Sequence, residues 1–275
     1  MTVIREPAVA GRFYPGTASE LSATIRLFFE DVPAEPTPAP KALIVPHAGY
    51  VYSGPVAAAA YARLRPYREQ YKRVILLGPA HRVAVSGLAL SSADLFRTPL
   101  GDVPLDKGAI AALNMPDVQI FDATHQYEHS LEVHLPFLQT VIGSFSLVPL
   151  VVGDAAAETV AGVIDALWGG PETLIVVSSD LSHYLSYDRA CASDKATCQA
   201  IESLEVQGID HDAACGATPI SGLLLAAKRH GMKVTTLDLR NSGDTTGDRN
   251  QVVGYGAWLF QEQIESGSIT QGATK

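Results

Sequence analysis

Short apolar runs, each followed at once by small or polar residues, recur along the chain. The runs are 42–45, 74–77, 147–152 and 174–177. They are rich in β-branched residues and stay apolar at successive positions, which is typical of strands covered on both faces. Segments compatible with helices lie between them. The alternation predicts an α/β fold with a largely parallel or mixed central sheet and helices on both faces.

The rest of the pattern predicts further helices and strands. Apolar residues recur at helical spacing in four segments, which are 19–29, 128–138, 190–204 and 220–230. Ser19 is the expected N-terminal cap of the first helix. Two more strands are expected at 234–239 and 252–260, on either side of the turn-rich residues 240–248.

A proline-rich segment interrupts the pattern near the N-terminus. Four prolines within residues 33–40 exclude a helix there, so we expect an exposed loop over 31–41. We interpret it as a surface loop and not as a domain boundary, so residues 1–275 are expected to form a single domain. The polar tail, 263–275, is expected to be frayed.

Composition and charge narrow the class of protein. Hydrophobic residues make up 47% of the chain and charged residues 18%, as in an ordinary globular protein. The net charge of −9 disfavours a nucleic-acid partner, because phosphate backbones are bound by lysine and arginine. The first residues do not resemble a signal peptide, and no apolar run is long enough to span a membrane. A soluble, cytoplasmic protein without a membrane partner is expected.

The three cysteines do not predict a disulfide framework or a cysteine zinc site. Cys191, Cys198 and Cys215 are an odd number and lack C-x-x-C spacing. We expect them to be small buried residues in a reducing compartment.

Residues suited to metal chemistry follow three of the apolar runs. His47 follows 42–45, His81 follows 74–77, and Asp180 and His183 follow 174–177. The carboxyl ends of parallel strands meet at one edge of a sheet, where ligands bind in a crevice. Two imidazoles at neighbouring strand ends can reach one ion, so His47 and His81 are predicted metal ligands.

A third protein ligand is needed, and the spacing leaves several aspartates open. The candidates are Asp154, Asp180, Asp244 and Asp248. Two histidines and one carboxylate suit non-haem Fe(II), and zinc can use the same ligand types. The spacing selects neither the aspartate nor the metal.

The sequence motifs that would indicate a different kind of site are incomplete or absent. His125 and His129 have the i, i+4 spacing of helical zinc pairs, but Gln126 breaks the His-Glu-x-x-His pattern. Glu128, His129 and Glu132 are therefore expected to support other ligands or to cap a helix. Neither a phosphate-binding glycine loop nor a G-x-S-x-G nucleophile motif occurs.

Six short motifs in a fixed order resemble one known family. They are PAVAGRFYP at 7–15, PHAGYVYSG at 46–54, LGPAH at 77–81, EHSLEVHLPFL at 128–138, SSDLSHY at 178–184 and NSGD at 241–244. With these motifs the chain resembles the Memo family (AmmeMemoRadiSam system protein B), which is similar in fold to the class III extradiol dioxygenases. The resemblance implies an extradiol-dioxygenase-like α/β fold.

The resemblance also implies a set of site residues. It implies a metal pocket formed by His47 and His81, with Asp180 and His183 lining it as catalytic residues. His183 aligns with the acid/base histidine of the dioxygenases. Animal members of the family carry a cysteine at the position aligned with Asp244, and an aspartate there completes a two-histidine, one-carboxylate set. The implied cofactor is Fe(II), with copper or zinc as alternatives, and Asp248 is the alternative third ligand.

Three functions follow from the resemblance and the residues. The first is an iron-dependent, dioxygenase-like or redox enzyme acting on a small aromatic or heterocyclic molecule. The second is a non-catalytic metal-binding or phosphopeptide-binding adaptor. The third is a zinc-dependent hydrolase. The family's name further implies a functional association with radical-SAM and AMMECR-type proteins.

Overall fold

The computed structural model describes residues 2–33 and 37–262. The strands of these residues are β1 (Ile4–Arg5), β2 (Ala42–Val45), β3 (Arg73–Pro79), β4 (Leu88–Leu90), β5 (Leu95–Thr98), β6 (Gly101–Pro104), β7 (Val118–Ile120), β8 (Ser146–Val152), β9 (Thr173–Ser178), β10 (His183–Leu185), β11 (Met232–Asn241) and β12 (Val252–Glu262). Their α-helices are α1 (Ala18–Glu30), α2 (Tyr50–Tyr61), α3 (Lys107–Ala112), α4 (Ala123–Gln126), α5 (Leu135–Val141), α6 (Ala157–Ala166), α7 (Tyr187–Glu202), α8 (Ala217–Arg229) and α9 (Ser242–Thr246). Two 3-10 helices span Ala62–Tyr67 and Glu132–His134. The tail expected to be frayed and residues 34–36 of the expected loop lie outside the described residues.

A large mixed sheet forms the centre of the fold. Its strand order is β10-β12-β2-β9-β3-β8-β4-β7, and β11 pairs with β12. The four strands β2, β9, β3 and β8 are neighbours and run parallel, whereas β12 pairs antiparallel with β2. The α/β fold with a large central sheet flanked by helices is thus confirmed. These four parallel strands are the four apolar runs of the sequence.

The register brings the carboxyl ends of the parallel strands to one edge. Val45 pairs with Ser178, and Pro79 pairs with Val152. All residues of β2 and β9 are buried. They are covered by α2, which packs on β2 and β12, and by α8, which packs on β3 and β9. Loops that follow these strands therefore begin side by side.

The first helix begins one residue earlier than predicted and has a different cap. Thr17, rather than Ser19, is the N-cap of α1: its backbone is extended and its side-chain oxygen accepts a hydrogen bond from the backbone N–H of Glu20. The buried residues of this helix are Leu21, Ile25 and Phe29, one on each successive turn.

The predicted helix over 128–138 is only partly helical. A turn comes first, followed by the 3-10 helix and then by α5, with Pro136 in its first turn. The carboxylate of Glu128 accepts hydrogen bonds from the N–H groups of His129 and Ser130, which holds a turn instead of a helical start. His125 lies in α4, which ends at Gln126, so it shares no helical face with His129. Among the described residues, no helix is long and apolar enough to cross a membrane.

A buried ion pair fastens the N-terminal segment to the 3-10 helix that contains Glu132. Arg5 contacts the Glu132 carboxylate, and both side chains are buried. The same carboxylate accepts hydrogen bonds from the hydroxyl of Tyr14 at 2.6 Å and from the N–H groups of Ala8 at 2.7 Å and Val9 at 3.0 Å. Both oxygens of the Glu132 carboxylate therefore have hydrogen-bond partners, as a buried charge requires.

Replacing Glu132 should strongly destabilise the fold. We expect Glu132→Ala to lower the free energy of unfolding by about 3–5 kcal/mol, because it leaves Arg5 buried without its anion. Glu6→Ala is the control, since Glu6 pairs with Arg97 at the exposed surface, and it should cost less than about 1 kcal/mol. Chemical denaturation measures both, and equal losses would contradict the assigned role of Glu132.

Two buried histidines should make stability depend on pH. Burial lowers the pKa of His125 to about 4 and that of His134 to about 3. Both are neutral in the folded protein and take up a proton on unfolding, so their contribution is complete above about pH 6.5 and is lost as the pH falls. Between pH 6 and 5, each histidine should add up to about 1.4 kcal/mol per pH unit to the slope of the free energy of unfolding against pH. Denaturation of metal-free protein should show a slope that is smaller by this amount in His125→Gln; an unchanged slope would contradict the prediction.

Candidate metal centre

His47 begins the loop after β2 and is held by Asp180, which follows β9. One carboxylate oxygen of Asp180 accepts hydrogen bonds from the N–H of His47 at 2.7 Å and from that of Ala48 at 3.2 Å. The Nδ1 atom of the His47 ring lies 2.7 Å from the hydroxyl of Ser178. Burial lowers the pKa of His47 well below its ordinary value, with nearby imidazoles adding to the effect. The ring is therefore neutral, the form that binds metals.

His81 begins the loop after β3 and is held by Glu128. The N–H of His81 donates to one oxygen of Glu128 at 2.6 Å, and its Nδ1 atom lies 3.0 Å from the other oxygen. Burial alone would raise the pKa of Glu128, but the attraction of the His129 and His81 side chains outweighs it and holds that pKa far below its usual range. An ionised carboxylate only accepts, so Nδ1 of His81 carries a proton, and in the neutral form of the ring the lone pair is on Nε2.

His129 reaches the same place from the turn after α4. Its N–H donates to Glu128 at 2.9 Å. Its Nδ1 atom lies 3.2 Å from the same carboxylate oxygen but off the direction of a hydrogen bond, so the attraction there is electrostatic. The ring meets Phe13 edge-on, with 4.8 Å between centroids. One carboxylate thus positions two histidines from two different loops.

The three imidazoles converge. Their ring centroids are 5.1 Å apart for His47 and His81, 5.4 Å for His47 and His129, and 4.6 Å for His81 and His129. One ring nitrogen from each lies within 4.8 Å of those from the other two. Bonds of 2.0–2.1 Å to one tetrahedral ion would require about 3.4 Å between these nitrogens, so the three rings would have to move closer together to bind it. The donor set and its polar support therefore fit a divalent metal ion.

Asp244 is not a member of the described cluster that contains His47 and His81. One oxygen of Asp244 accepts from the N–H of Asn241 at 3.0 Å, and the other accepts from the hydroxyl of Tyr187 at 2.7 Å. The Asn-Ser-Gly-Asp motif is a capping box at the start of α9, where Asn241 and Asp244 satisfy each other's backbone. The third member of the described cluster is His129 instead.

The other aspartates left open by the spacing also stand outside the cluster of three histidines. Asp248 accepts hydrogen bonds from the N–H and the side-chain amide of Asn250. Asp180 supports the backbone after β2, as described above. His129 was missed because the sequence suggested a helix cap at this position. The sequence feature that could have identified His129 is the adjacent carboxylate of Glu128, directly before a buried segment.

A cavity of about 470 Å³ lies beside the cluster, with His129 in its wall. Aromatic side chains contribute much of the lining: Phe13, Tyr52, Tyr184 and Tyr255. Asp180, Asp248 and His183 supply its ionisable groups besides His129, and the described lining includes neither lysine nor arginine. Both predicted catalytic residues, Asp180 and His183, therefore face this cavity, and their catalytic roles remain predictions.

Asp180 and His183 are placed differently within that wall. Asp180 is buried, which raises its pKa, although the N–H groups of His47 and Ala48 oppose the shift. His183 is half-buried at the start of β10 and pairs in register with Val253 of β12. Asp180 therefore holds the loop after β2 in place, while the half-buried side chain of His183 borders the cavity.

One cysteine lies against the cluster, contrary to the expectation of a purely packing role. The sulfur of Cys215 is 3.4 Å from Nε2 of His47. Burial raises the pKa of Cys215 to about 12, so the group is a thiol, and it donates to the carbonyl oxygen of Asp180 at 3.6 Å. Cys198 is buried as expected, whereas Cys191 is exposed.

The fold resembles that of a solved protein. A chain described as "uncharacterized protein JW3007 from Escherichia coli K12" aligns with a TM-score of 0.50 and 14% identity, over 79% of this chain and 98% of the other. At this identity the likeness concerns the fold alone.

Sequence comparison is more specific. A "MEMO1 family protein" of Methanococcoides burtonii is 40% identical over 94% of this chain and all of the relative. Relatives with the same description from Aquifex aeolicus and Sulfolobus acidocaldarius are 37% and 36% identical, over 94% and 92% of this chain and over 99% and 98% of their own lengths. The family model described as "Memo-like protein" matches residues 5–259. The chain therefore belongs to the Memo family.

Proposed function

We propose that this protein is a metal-dependent enzyme in which His47, His81 and His129 hold one divalent cation next to a small-molecule cavity. The convergence of the three imidazoles within 4.8 Å carries the proposal. Three protein ligands leave coordination positions open, as catalytic metal sites require. The cavity has His129 in its wall, so a molecule bound there would lie beside the cation.

The chemistry we propose is dioxygenase-like oxidation of a small aromatic molecule with Fe(II). A bound Fe(II) ion would supply Lewis acidity and oxygen chemistry at its open positions. The resemblance to the extradiol dioxygenases supports this assignment, and so do the aromatic side chains of the cavity, which suit stacking on a planar ring. In this proposal His129 takes the place of the carboxylate, so the preference for iron does not rest on a two-histidine, one-carboxylate set.

The roles of the chain's own groups follow from their positions. His183 can accept a proton from a hydroxyl of the bound molecule or return one, since its half-buried imidazole faces the cavity. Asp180 keeps the His47 loop in place through two N–H bonds. Tyr52 and Tyr184 are exposed at the cavity and offer faces for stacking.

The charge of the cavity disfavours the phosphopeptide adaptor. Phosphate groups are recognised by arginine and lysine. The described lining has the carboxylates of Asp180 and Asp248 and neither of those cations. A phosphate there would have the bound cation as its only positive partner among the described lining residues, so we propose a ligand without a phosphate group.

A zinc-dependent hydrolase is the second candidate. The observation in its favour is the donor set, because three histidines with an open position form a known catalytic zinc site. In that case the bound cation would lower the pKa of a water molecule. Oxygen dependence separates the candidates: turnover of the Zn-loaded protein without oxygen supports the hydrolase, and oxygen uptake by the Fe-loaded protein supports the oxidation.

Metal affinity should depend on His129 and not on Asp244. We expect His129→Ala to weaken Zn²⁺ binding at least about 100-fold, since one of three ligands is lost. Asp244→Ala should leave the affinity within about 2-fold, and His125→Ala is a matched control for a nearby buried histidine outside the cluster. Competition with a chelating dye measures all three. Weaker binding in Asp244→Ala than in His129→Ala would reject the three-histidine site.

Turnover should depend on His183 without loss of the metal. His183→Ala should retain Fe(II) stoichiometry but lower oxygen consumption with a panel of catechols by about 10²- to 10⁴-fold, the usual contribution of a general acid or base. His230→Ala is the control, because His230 stacks on Trp168 and bonds Asp165 outside the site. Loss of iron from His183→Ala, or full activity with iron retained, would contradict this role.

A further inference from the structure

A second histidine lies behind the metal centre, separated from His47 by one serine hydroxyl. The Oγ atom of Ser178 lies 2.7 Å from Nδ1 of His47, 2.8 Å from Nε2 of His134 and 2.6 Å from the carbonyl oxygen of Ser130. All four residues are buried. Because water is excluded, the protons of this group have to be shared among these atoms.

The positions of the protons follow from counting donors. A serine hydroxyl has one proton, and a carbonyl oxygen can only accept. Two oxygens at 2.6 Å repel each other unless a proton lies between them, so Ser178 donates to the carbonyl of Ser130. Its oxygen then accepts from both rings, which places protons on Nδ1 of His47 and on Nε2 of His134.

Tyr61 completes the assignment on the far side of His134. Its hydroxyl lies 2.9 Å from Nδ1 of His134, the nitrogen left without a proton. Tyr61 is fully buried, and burial raises its pKa well above the ordinary value, so it stays a donor. The tyrosine therefore fixes the tautomer of His134, and His134 together with Ser178 fixes that of His47.

The other edge of the His47 ring agrees with this assignment. Its Nε2 atom lies 3.4 Å from the sulfur of Cys215, which can be a weak donor or a weak acceptor and so is compatible with a lone pair on Nε2. With the proton on Nδ1, that lone pair is the one a metal ion would use.

We propose that Tyr61, His134 and Ser178 form a tautomer relay that keeps His47 protonated on Nδ1 and so offers its Nε2 lone pair to the metal. The inference rests on the proposed function for the identity of the bound group, but the tautomer is a property of the metal-free protein. These three are positioning residues, because they act on the metal through His47. A hydrogen bond at the outer ring nitrogen commonly sets which nitrogen of a histidine is metallated.

Nitrogen NMR of the metal-free protein tests the relay directly. In two-bond ¹H–¹⁵N spectra at neutral pH, we expect His47 to show a pyrrole-type Nδ1 and a pyridine-type Nε2, and His134 to show the reverse. The opposite tautomer at either histidine overturns the proposal. Because no metal is involved, the result is independent of whether the protein is an enzyme.

Variants test whether the relay serves the metal. Ser178→Ala should weaken Zn²⁺ binding about 10- to 100-fold, as loss of an outer-shell partner does. Tyr61→Phe keeps the ring and removes the donor, and should weaken Zn²⁺ binding about 2- to 10-fold and mix the tautomers of His134. Tyr71→Phe is the matched control, since Tyr71 is equally buried and donates to the carbonyl of Pro40, and its affinity should equal that of the wild type.

The outcomes separate the relay from the proposed function. If the wild type binds Zn²⁺ and Tyr61→Phe retains both the affinity and the tautomers, the relay is overturned while the metal site stands. If Tyr71→Phe weakens binding as much as Tyr61→Phe, the effect is general destabilisation and the relay is likewise rejected. If the wild type binds no Zn²⁺, Fe²⁺ or Co²⁺, the proposed function fails, and with it the relay's role toward a metal.

Discussion

The buried carboxylate of Glu128 is the interaction on which the candidate site depends. It accepts hydrogen bonds from the backbone of His81, His129 and Ser130, and it also bonds the ring of His81. Two loops that are 47 residues apart in sequence are thereby joined at one charge. A buried carboxylate is stable only when its oxygens are matched, and removing it would leave each of these donors unsatisfied at about 1–3 kcal/mol apiece. The same contacts that stabilise the loops therefore set the distance between two of the three imidazoles.

The sheet supplies the third imidazole and the rigid base. His47 follows β2, while Ser178 is the last residue of β9, the parallel neighbour of β2, and Asp180 follows that strand. Asp180 fixes the backbone of His47, while Ser178 contacts its ring. Two polar side chains at the carboxyl end of β9 thus determine where the ring lies and which way it faces. Burial keeps the ring neutral, and a neutral imidazole can bind a metal cation.

The sequence predicted the parts of this arrangement that depend on local pattern. The apolar runs gave β2, β3, β8 and β9, since strands buried on both faces are apolar throughout. The topology of parallel sheets then brought His47 and His81 together. His129 was not predicted, because its placement depends on contacts of Glu128 with residues distant in sequence. Apolar spacing over 128–138 suggested a helix. Such spacing does not predict which backbone groups the carboxylate of Glu128 accepts hydrogen bonds from.

The role of Asp244 as a metal ligand stays a prediction, and its contacts in the structure show a competing local role. Asn241 and Asp244 have the three-residue spacing of a capping box. The expectation of a metal ligand at Asp244 followed the alignment with animal relatives and did not use this local spacing. Both oxygens of Asp244 accept local hydrogen bonds, one within the motif and one from Tyr187.

The measurement that most directly tests the three-histidine centre is X-ray absorption spectroscopy of the Zn-loaded protein. The outer-shell scattering of imidazole rings counts the histidines bound to the metal. We expect three imidazoles with Zn–N bonds of about 2.0–2.1 Å. Two imidazoles accompanied by a carboxylate would contradict the assignment of His129 and return the third position to an aspartate.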